Sequence, residues 1–393
     1  MFKFAGSLLA SKSWMNRALV IQSFNPQIKI IGETDSDDVK VLQKAIESIP
    51  YADHFYLGQG GTSLRFFAFL ASRKPGTWFI KAHARLLERP QKELKETLKQ
   101  LGIEVEFQDD EIIIRSQGWK NDGTVMCDTK LSSQFASGLI LNSWNLEFDL
   151  QVQMNKPIIS ADYLWMTLDI LKTAGLKYHL VESEASFHLS IPKCQKPSSS
   201  DLHSEVDVSS TFSLVAAAVV AGDVQIENWN SSSVQPDMAF TKILNQMGIL
   251  FQQQANQFTI KQQSSWNACE INLNKSPDLF PVLSVLCALG KGTSQLYGAE
   301  QLKLKESDRI TKTKELLDLA GFRSELLVDG LAIYGLSSAQ DKNQALTFNP
   351  DHDHRMAMAA GILKLAGYNI KIETPEVVQK SYPQFWQHTG VNP

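Results

Sequence analysis

LKETLKQLGIEVEFQDDEIIIR, residues Leu94–Arg115, decides the fold. Leu94, Leu98 and Leu101 fall on one face of a helix. Gly102 then supplies the left-handed cap that ends it. Ile103, Val105 and Phe107 alternate with glutamates as a half-buried strand, Gln108–Asp110 make a polar turn, and Ile112–Arg115 return as a second strand. The stretch predicts one helix followed by a hairpin.

The same pattern recurs along the chain. Helix-ending glycines stand at Gly102, Gly175, Gly248 and Gly321, three equal steps of 73 residues. Leu164, Leu168 and Leu171 repeat the apolar stripe, as do Phe240, Ile243, Leu244 and Met247. Turn Val328–Gly330 and strand Leu331–Tyr334 repeat the hairpin. A weaker copy ends at Gly367, and another is expected near Val39–Ile49. Such a period marks a repeated supersecondary unit. Six units, three per domain, give an α/β chain of two similar domains with the ligand expected between them.

At 393 residues the chain is too long for one ordinary core, and a net charge of −4 argues against a broad nucleic-acid surface. The four cysteines, Cys127, Cys194, Cys269 and Cys287, are scattered without metal-type spacing, as in a reduced cytoplasmic protein. The apolar start, Met1–Ala10, runs at once into Lys12 and Arg17 and does not read as a signal peptide. The most apolar run, Leu214–Gly222, is nine residues, far short of a membrane span. The expectation is a soluble, cytoplasmic protein whose cations work locally.

Cations gather at predicted helix starts. Ser11-Lys12-Ser13 precedes Trp14–Ser23, with Arg17 one turn in. Glu88-Arg89-Pro90 precedes the Leu94 helix, with Pro90 fitting its first position. Lys305-Glu306-Ser307-Asp308-Arg309 opens Ile310–Ala320, and Asp353-His354-Arg355 opens Met356–Ala366. Free N–H groups and the helix dipole favour phosphates and carboxylates at such ends. Taken singly, each is also what an ordinary cap with a surface charge looks like. Gly58–Ser63 is a glycine-rich turn from strand to helix that meets neither nucleotide motif. Asp351, His352, Asp353 and His354 raise a metal site, but a capped helix start accounts for them.

In order, the motifs resemble the enolpyruvyl transferases, and within them the shikimate-phosphate branch. The landmarks are Ser11-Lys12-Ser13 with Asn16-Arg17, Ser36-Asp37-Asp38-Val39, Gly61-Thr62 with Arg65, and Glu88-Arg89-Pro90. Ser132-Ser133-Gln134, Ser160 with Tyr163, Asp207 with Ser209-Ser210, and Pro277-Asp278 follow. Lys305-Glu306-Ser307-Asp308-Arg309, Asp353-His354-Arg355-Met356-Ala357-Met358 and Lys380 complete the set. The KESDR and DHRMAM strings are the specific ones.

The resemblance implies roles at the matched positions. Lys12, Gly61, Arg89, Gln134, Arg309, Arg355 and Lys380 match the phosphoenolpyruvate site. Ser13, Arg17, Ser132, Ser133, Gln134, Ser160, Tyr163, Asp278 and Lys305 match the shikimate 3-phosphate site. Asp278 and Glu306 match the pair that manages protons, with Lys12 beside them as a catalytic cation. The implied fold is two domains of three βαβαββ units each, an inside-out α/β barrel, with the active site in the interdomain cleft. Residues 11–204 would form the first domain, mainly on the shikimate-phosphate side. Residues 1–10 with 205–393 would form the second, on the catalytic and phosphoenolpyruvate side. No cofactor, metal, nucleic acid or membrane is implied, and a monomer is expected. Seven cations in one place would repel by roughly 4 kcal/mol per close pair at an effective dielectric near 20, an expectation that favours an open empty site.

Departures from the pattern are Leu9-Ala10, Met15, Gln59, Gln301 and Lys303. The sibling that acts on UDP-N-acetylglucosamine would carry Lys-Asn in place of Lys12-Ser13 and a cysteine before Arg89, whereas Lys81–Glu88 has none. RNA 3′-phosphate cyclases share the unit but need a basic groove. A non-catalytic phosphometabolite binder has no use for Asp278 and Glu306 among cations.

Overall fold

The computed structural model describes residues 1–121, 123–336 and 342–393. Its contacts divide the chain into two compact units, Ala10–Ser204 and Met1–Leu9 with Glu205–Pro393.

Within Ala10–Ser204, one four-stranded sheet runs in the order His54–Tyr56, Gly76–Lys81, Glu111–Ser116, Glu104–Phe107. A second runs Thr124–Cys127, Leu150–Asn155, Ser186–Ile191, His179–Glu182. In both, the first pair is parallel and the rest antiparallel. The parallel pair requires a crossover, supplied by helix Gly61–Ser72 or Gln134–Leu141, while the final hairpin needs only a tight turn. Lys29–Ile31 and Asp201–His203 add a parallel pair of their own.

The other unit repeats this plan. Phe2–Gly6, Gly222–Ile226, Phe258–Lys261 and Phe251–Gln253 make one sheet; Glu270–Asn272, Thr293–Tyr297, Gly330–Tyr334 and Ser324–Leu327 make the next. Leu346–Phe348 pairs with Ile370–Ile372 in parallel. The apolar chain start is thus a sheet strand, its Phe2–Gly6 paired with Gly222–Ile226.

Inside each unit the helices are the core. Helix Phe280–Leu289 buries every residue, Gly61–Ser72 every residue but Thr62, and helices Val208–Ala221 and His354–Leu365 are nearly as enclosed. A helix apolar all round belongs in an interior. The strands alternate between buried and exposed residues, with one face on those helices. All of the nine-residue apolar run but its last residue, Gly222, lies in such a helix, Val208–Ala221. No helix among the described residues is long and apolar enough to cross a membrane.

The glycine period is a helix-ending device. Gly102, Gly175, Gly248, Gly321 and Gly367 all have positive φ, between 73° and 97°. After each, the next N–H reaches back to a carbonyl of the last turn, as in Ile103 to Leu98 and Phe322 to Leu317. The residue delivered there, Ile103, Leu176, Ile249, Phe322 or Tyr368, is buried. This is the Schellman closure with its apolar contact.

Three details differ from the sequence reading. The copy near Val39–Ile49 is helix Asp37–Ser48, closed by right-handed Ile49 rather than glycine. That copy and the one at Gly367 keep only the two-stranded parallel pairs, so the full hairpin unit occurs four times among the described residues. Pro90 is not the first residue of its helix, which spans Lys92–Lys99 with Gln91 at the cap. Gln91 instead serves as an acceptor for Arg65.

Candidate active site

In Ala10–Ser204, the N-terminal ends of four helices are laced together. Asn16 Nδ2 donates to Ser63 Oγ at 3.5 Å, joining helix Lys12–Phe24 to Gly61–Ser72. Gln134 Nε2 donates to Thr62 Oγ1 at 3.0 Å, joining Gly61–Ser72 to Gln134–Leu141. Ser133 Oγ donates to the Ser160 carbonyl at 3.0 Å, joining that helix to Ala161–Thr173. Arg17 closes the ring with bonds to the carbonyls of Ser13 (2.6 Å) and Tyr163 (2.9 Å) and to Thr167 Oγ1 (2.7 Å). Four positive dipole ends meet, which suits an anion.

Around this ring sit the expected ligands. Lys12 Nζ is 3.0 Å from Asp38 Oδ2. A Cβ built on Gly61 would lie 3.3 Å from Arg89 Nη1 and 3.7 Å from Gln134 Oε1, so those three share one corner. Ser132 Oγ accepts from the Gln134 N–H at 3.2 Å. Ser160 caps its helix at φ 55°, a left-handed conformation costly for serine and typical of functional sites. Arg17 is buried, and burial lowers its pKa to about 10, so it stays charged at neutral pH. Its guanidinium holds the starts of helices Lys12–Phe24 and Ala161–Thr173.

The other unit is organised about Arg309, which is 1 % exposed. Its Nη1 lies 2.7 Å from Asp278 Oδ1, its Nη2 2.9 Å from Glu306 Oε2, and its Nε 2.7 Å from Asp353 Oδ2. Lys380 Nζ is 2.9 Å from Glu306 Oε1. Arg355 Nη2 is 3.3 Å from Asp278 Oδ2, and Lys305 Nζ is 3.8 Å from Asp278 Oδ1. Asp353 caps helix His354–Leu365, accepts from Ser307 Oγ, and so fixes the hub from below. Burial works to raise the Asp278 pKa, but Arg355, Lys305 and Arg309 hold it well below the usual carboxylate range.

Asp278 sits in the turn Pro277–Leu279, and its carboxylate is gripped by Arg309 and Arg355. The geometry corrects one expectation: the cations are not left to repel one another. Lys12 is paired with Asp38, Lys380 with Glu306, Arg355 with Asp278, and Arg309 with three carboxylates. Lys12, Arg17 and Arg89 belong to one unit, Lys305, Arg309, Arg355 and Lys380 to the other. His354 is buried at the helix start, its Nδ1 3.9 Å from Asp353 Oδ1. No three His, Cys, Asp or Glu side chains among the described residues are arranged to hold a metal.

Sequence reasoning gave no role to Asp38, Arg65 or Asp237, and gave Asp353 only that of a helix cap. Asp38 and Arg65 stood in recognised strings, but only packing shows what they touch. Asp237 carried no signal at all. It is buried in the turn Pro236–Met238, and burial, then the charge of Asp278, push its pKa up to about 7 against the pull of Arg355.

Residues 19–389 match the family model of EPSP synthase (3-phosphoshikimate 1-carboxyvinyltransferase). The chain is 30% identical over 96% of its length to 93% of the 3-phosphoshikimate 1-carboxyvinyltransferase of Archaeoglobus fulgidus. It is 32% identical over 83% of its length to 75% of that of Methanocorpusculum labreanum. In fold it is similar to EPSP synthase from Acinetobacter baumannii, with TM-score 0.73, 21% identity, and 99% of this chain and 95% of that one covered. The enolpyruvyl transferase NikO from Streptomyces tendae matches equally well in fold, TM-score 0.74, at 12% identity over 99% of this chain and 94% of its own. The match along nearly the whole sequence, with the ordered cations and carboxylates in place, shows that this chain belongs to the EPSP synthase family.

Proposed function

We propose that the chain transfers the enolpyruvyl group of phosphoenolpyruvate to the 5-hydroxyl of shikimate 3-phosphate, releasing phosphate and 5-enolpyruvylshikimate 3-phosphate. One observation carries the reading: a single buried guanidinium, Arg309, holds both Asp278 and Glu306 among three further cations. A binding protein needs the cations; only a reaction that moves protons needs the two acids as well.

The hydroxyl adds to C2 of phosphoenolpyruvate while C3 gains a proton; the tetrahedral adduct then loses phosphate and a C3 proton. Asp278 accepts the hydroxyl proton. In the free protein its depressed pKa makes it a weak base. Anionic substrate that neutralises Arg355 and Lys305 would raise that pKa, so the base strengthens when substrate is present. Glu306, between Lys380 and Arg309, exchanges the C3 proton. Lys12, Gly61, Arg89, Gln134, Arg309, Arg355 and Lys380 hold phosphoenolpyruvate. Ser13, Arg17, Ser132, Ser133, Gln134, Ser160, Tyr163, Asp278 and Lys305 serve shikimate 3-phosphate, Arg17 by fixing the two helix starts. Ala10–Ser204 is thus mainly the shikimate-phosphate side, and the other unit the catalytic and phosphoenolpyruvate side.

We further read the chain as a cytoplasmic monomer working without nucleic acid or membrane. Its four free cysteines and mildly acidic balance support that compartment, and light scattering checks the assembly state. The function is tested by phosphate release. It should require both substrates, and release with UDP-N-acetylglucosamine but not shikimate 3-phosphate would overturn it.

A further inference from the structure

Beneath the corner formed by Gly61, Arg89 and Gln134 lies Arg65, which the proposed reaction does not use directly. It is buried, and its guanidinium lies 4.6 Å from the Phe135 ring centroid. Its Nη1 donates to Gln134 Oε1 at 2.7 Å, its Nη2 to the Pro90 carbonyl at 3.2 Å, and its Nε to Gln91 Oε1 at 3.3 Å. Gln91 Nε2 in turn donates to the Leu86 carbonyl at 3.3 Å. One planar fork therefore ties helix Gly61–Ser72 to helix Gln134–Leu141 and to the segment 86–91 that carries Arg89.

The chemistry of the fork decides an orientation. A guanidinium can only donate, so the Gln134 group facing Arg65 must be its oxygen. The amide nitrogen is thereby turned away, where it donates to Thr62 Oγ1 at 3.0 Å with a second N–H remaining. Flipped, the amide would place NH₂ against a guanidinium and present a carbonyl to an anion. From this geometry we infer that Arg65 is a positioning residue: it locks the Gln134 amide with its oxygen toward Arg65 and its NH₂ on the Thr62 side, and anchors the backbone beside Arg89, so that the amide NH₂ and the Arg89 guanidinium stand as donors for an anionic substrate. Arg65 works through Gln134 and the Pro90 backbone. The substrate concerned is phosphoenolpyruvate, which rests on the function proposed above.

The test uses full-length Arg65→Lys and Arg65→Met. Lysine keeps the charge but not the fork, and it decides the matter if the methionine variant does not fold. Steady-state phosphate release should show KM for phosphoenolpyruvate raised roughly tenfold, with kcat within about threefold, the pattern of lost binding rather than lost chemistry. In the ¹⁵N spectrum, the Gln134 side-chain amide signals, identified by their absence in Gln134→Glu, should shift and exchange faster in both variants. A merely structural role would instead lower the thermal midpoint and leave KM and those signals unmoved. That result in a folded variant overturns the inference. If the unmodified protein does not turn over the two substrates, the functional reading fails, while the Gln134 signals still decide the role of Arg65.

Discussion

Replacing Asp237 with asparagine should stabilise the protein at alkaline pH and leave it nearly unchanged in acid. Asp237 is 3 % exposed, and its Oδ1 has no hydrogen-bond partner among the described residues. Burial is the main cause of its raised pKa; Asp278 and Asp207 add to it, and Arg355 and a hydrogen bond with Ser209 oppose. The result is about 7 against an ordinary 3.8. Between those values the unfolded chain has released this proton and the folded chain keeps it. Stability therefore falls as pH rises through that window and is level above it. At 1.36 kcal/mol per pH unit, the ceiling on the loss by about pH 8 is ~4 kcal/mol. Relaxation of Asp278 and Arg355 should reduce this to roughly 1–3 kcal/mol. The amide in Asp237→Asn has no proton to lose, so the variant should escape the slope. Urea unfolding of both proteins at about pH 4 and about pH 8 checks this, with the difference in midpoint multiplied by m as the readout. An advantage for the variant that is equal at the two pH values, or absent at the higher one, would refute the reasoning.

Three more outcomes follow from the same geometry. Asp278→Ala should cut kcat by roughly 10² to 10⁴ with phosphoenolpyruvate still bound, and near-normal turnover would remove Asp278 from the proton chemistry. Gly60→Ala should harm activity more than Gly61→Ala. A Cβ at Gly60 meets the Asp38 carboxyl carbon at 2.8 Å and so disturbs the partner of Lys12, whereas the nearest atom to one at Gly61 is the end of Arg89, at 3.3 Å. Comparing kcat/KM of the two variants settles the order. Arg309→Leu leaves Asp278, Glu306 and Asp353 without their shared counter-charge and should cost about 3–5 kcal/mol, read as a lowered denaturation midpoint that recovers in part at low pH.

Much of the fold was legible because it is written in near neighbours. A stripe at Leu94, Leu98 and Leu101, a glycine and an alternating strand are local features, and the caps at Ser11, Asp308 and Asp353 lie within three residues of the N–H groups they serve. The strings around Lys12, Arg89, Arg309 and Arg355 were visible for the same reason. Reading Pro90 as a helix start failed because local rules admit it, and partners decided otherwise: the Pro90 carbonyl accepts from Arg65 and the helix begins at Lys92. Asp278 meets Arg309 across 31 residues, Arg65 meets Gln134 across 69, and Glu306 meets Lys380 across 74.

The sequence by itself determined the repeated unit, the helix ends and the identities of the charged residues. Only the tertiary structure decided which carboxylate neutralises which cation, that burial raises the Asp237 pKa, and which way the Gln134 amide faces. Periodicity and capping depend on separations of a few residues along one element. Ion pairing, desolvation and amide orientation depend on which helix ends packing brings within 3 Å, and no short window of sequence holds that information.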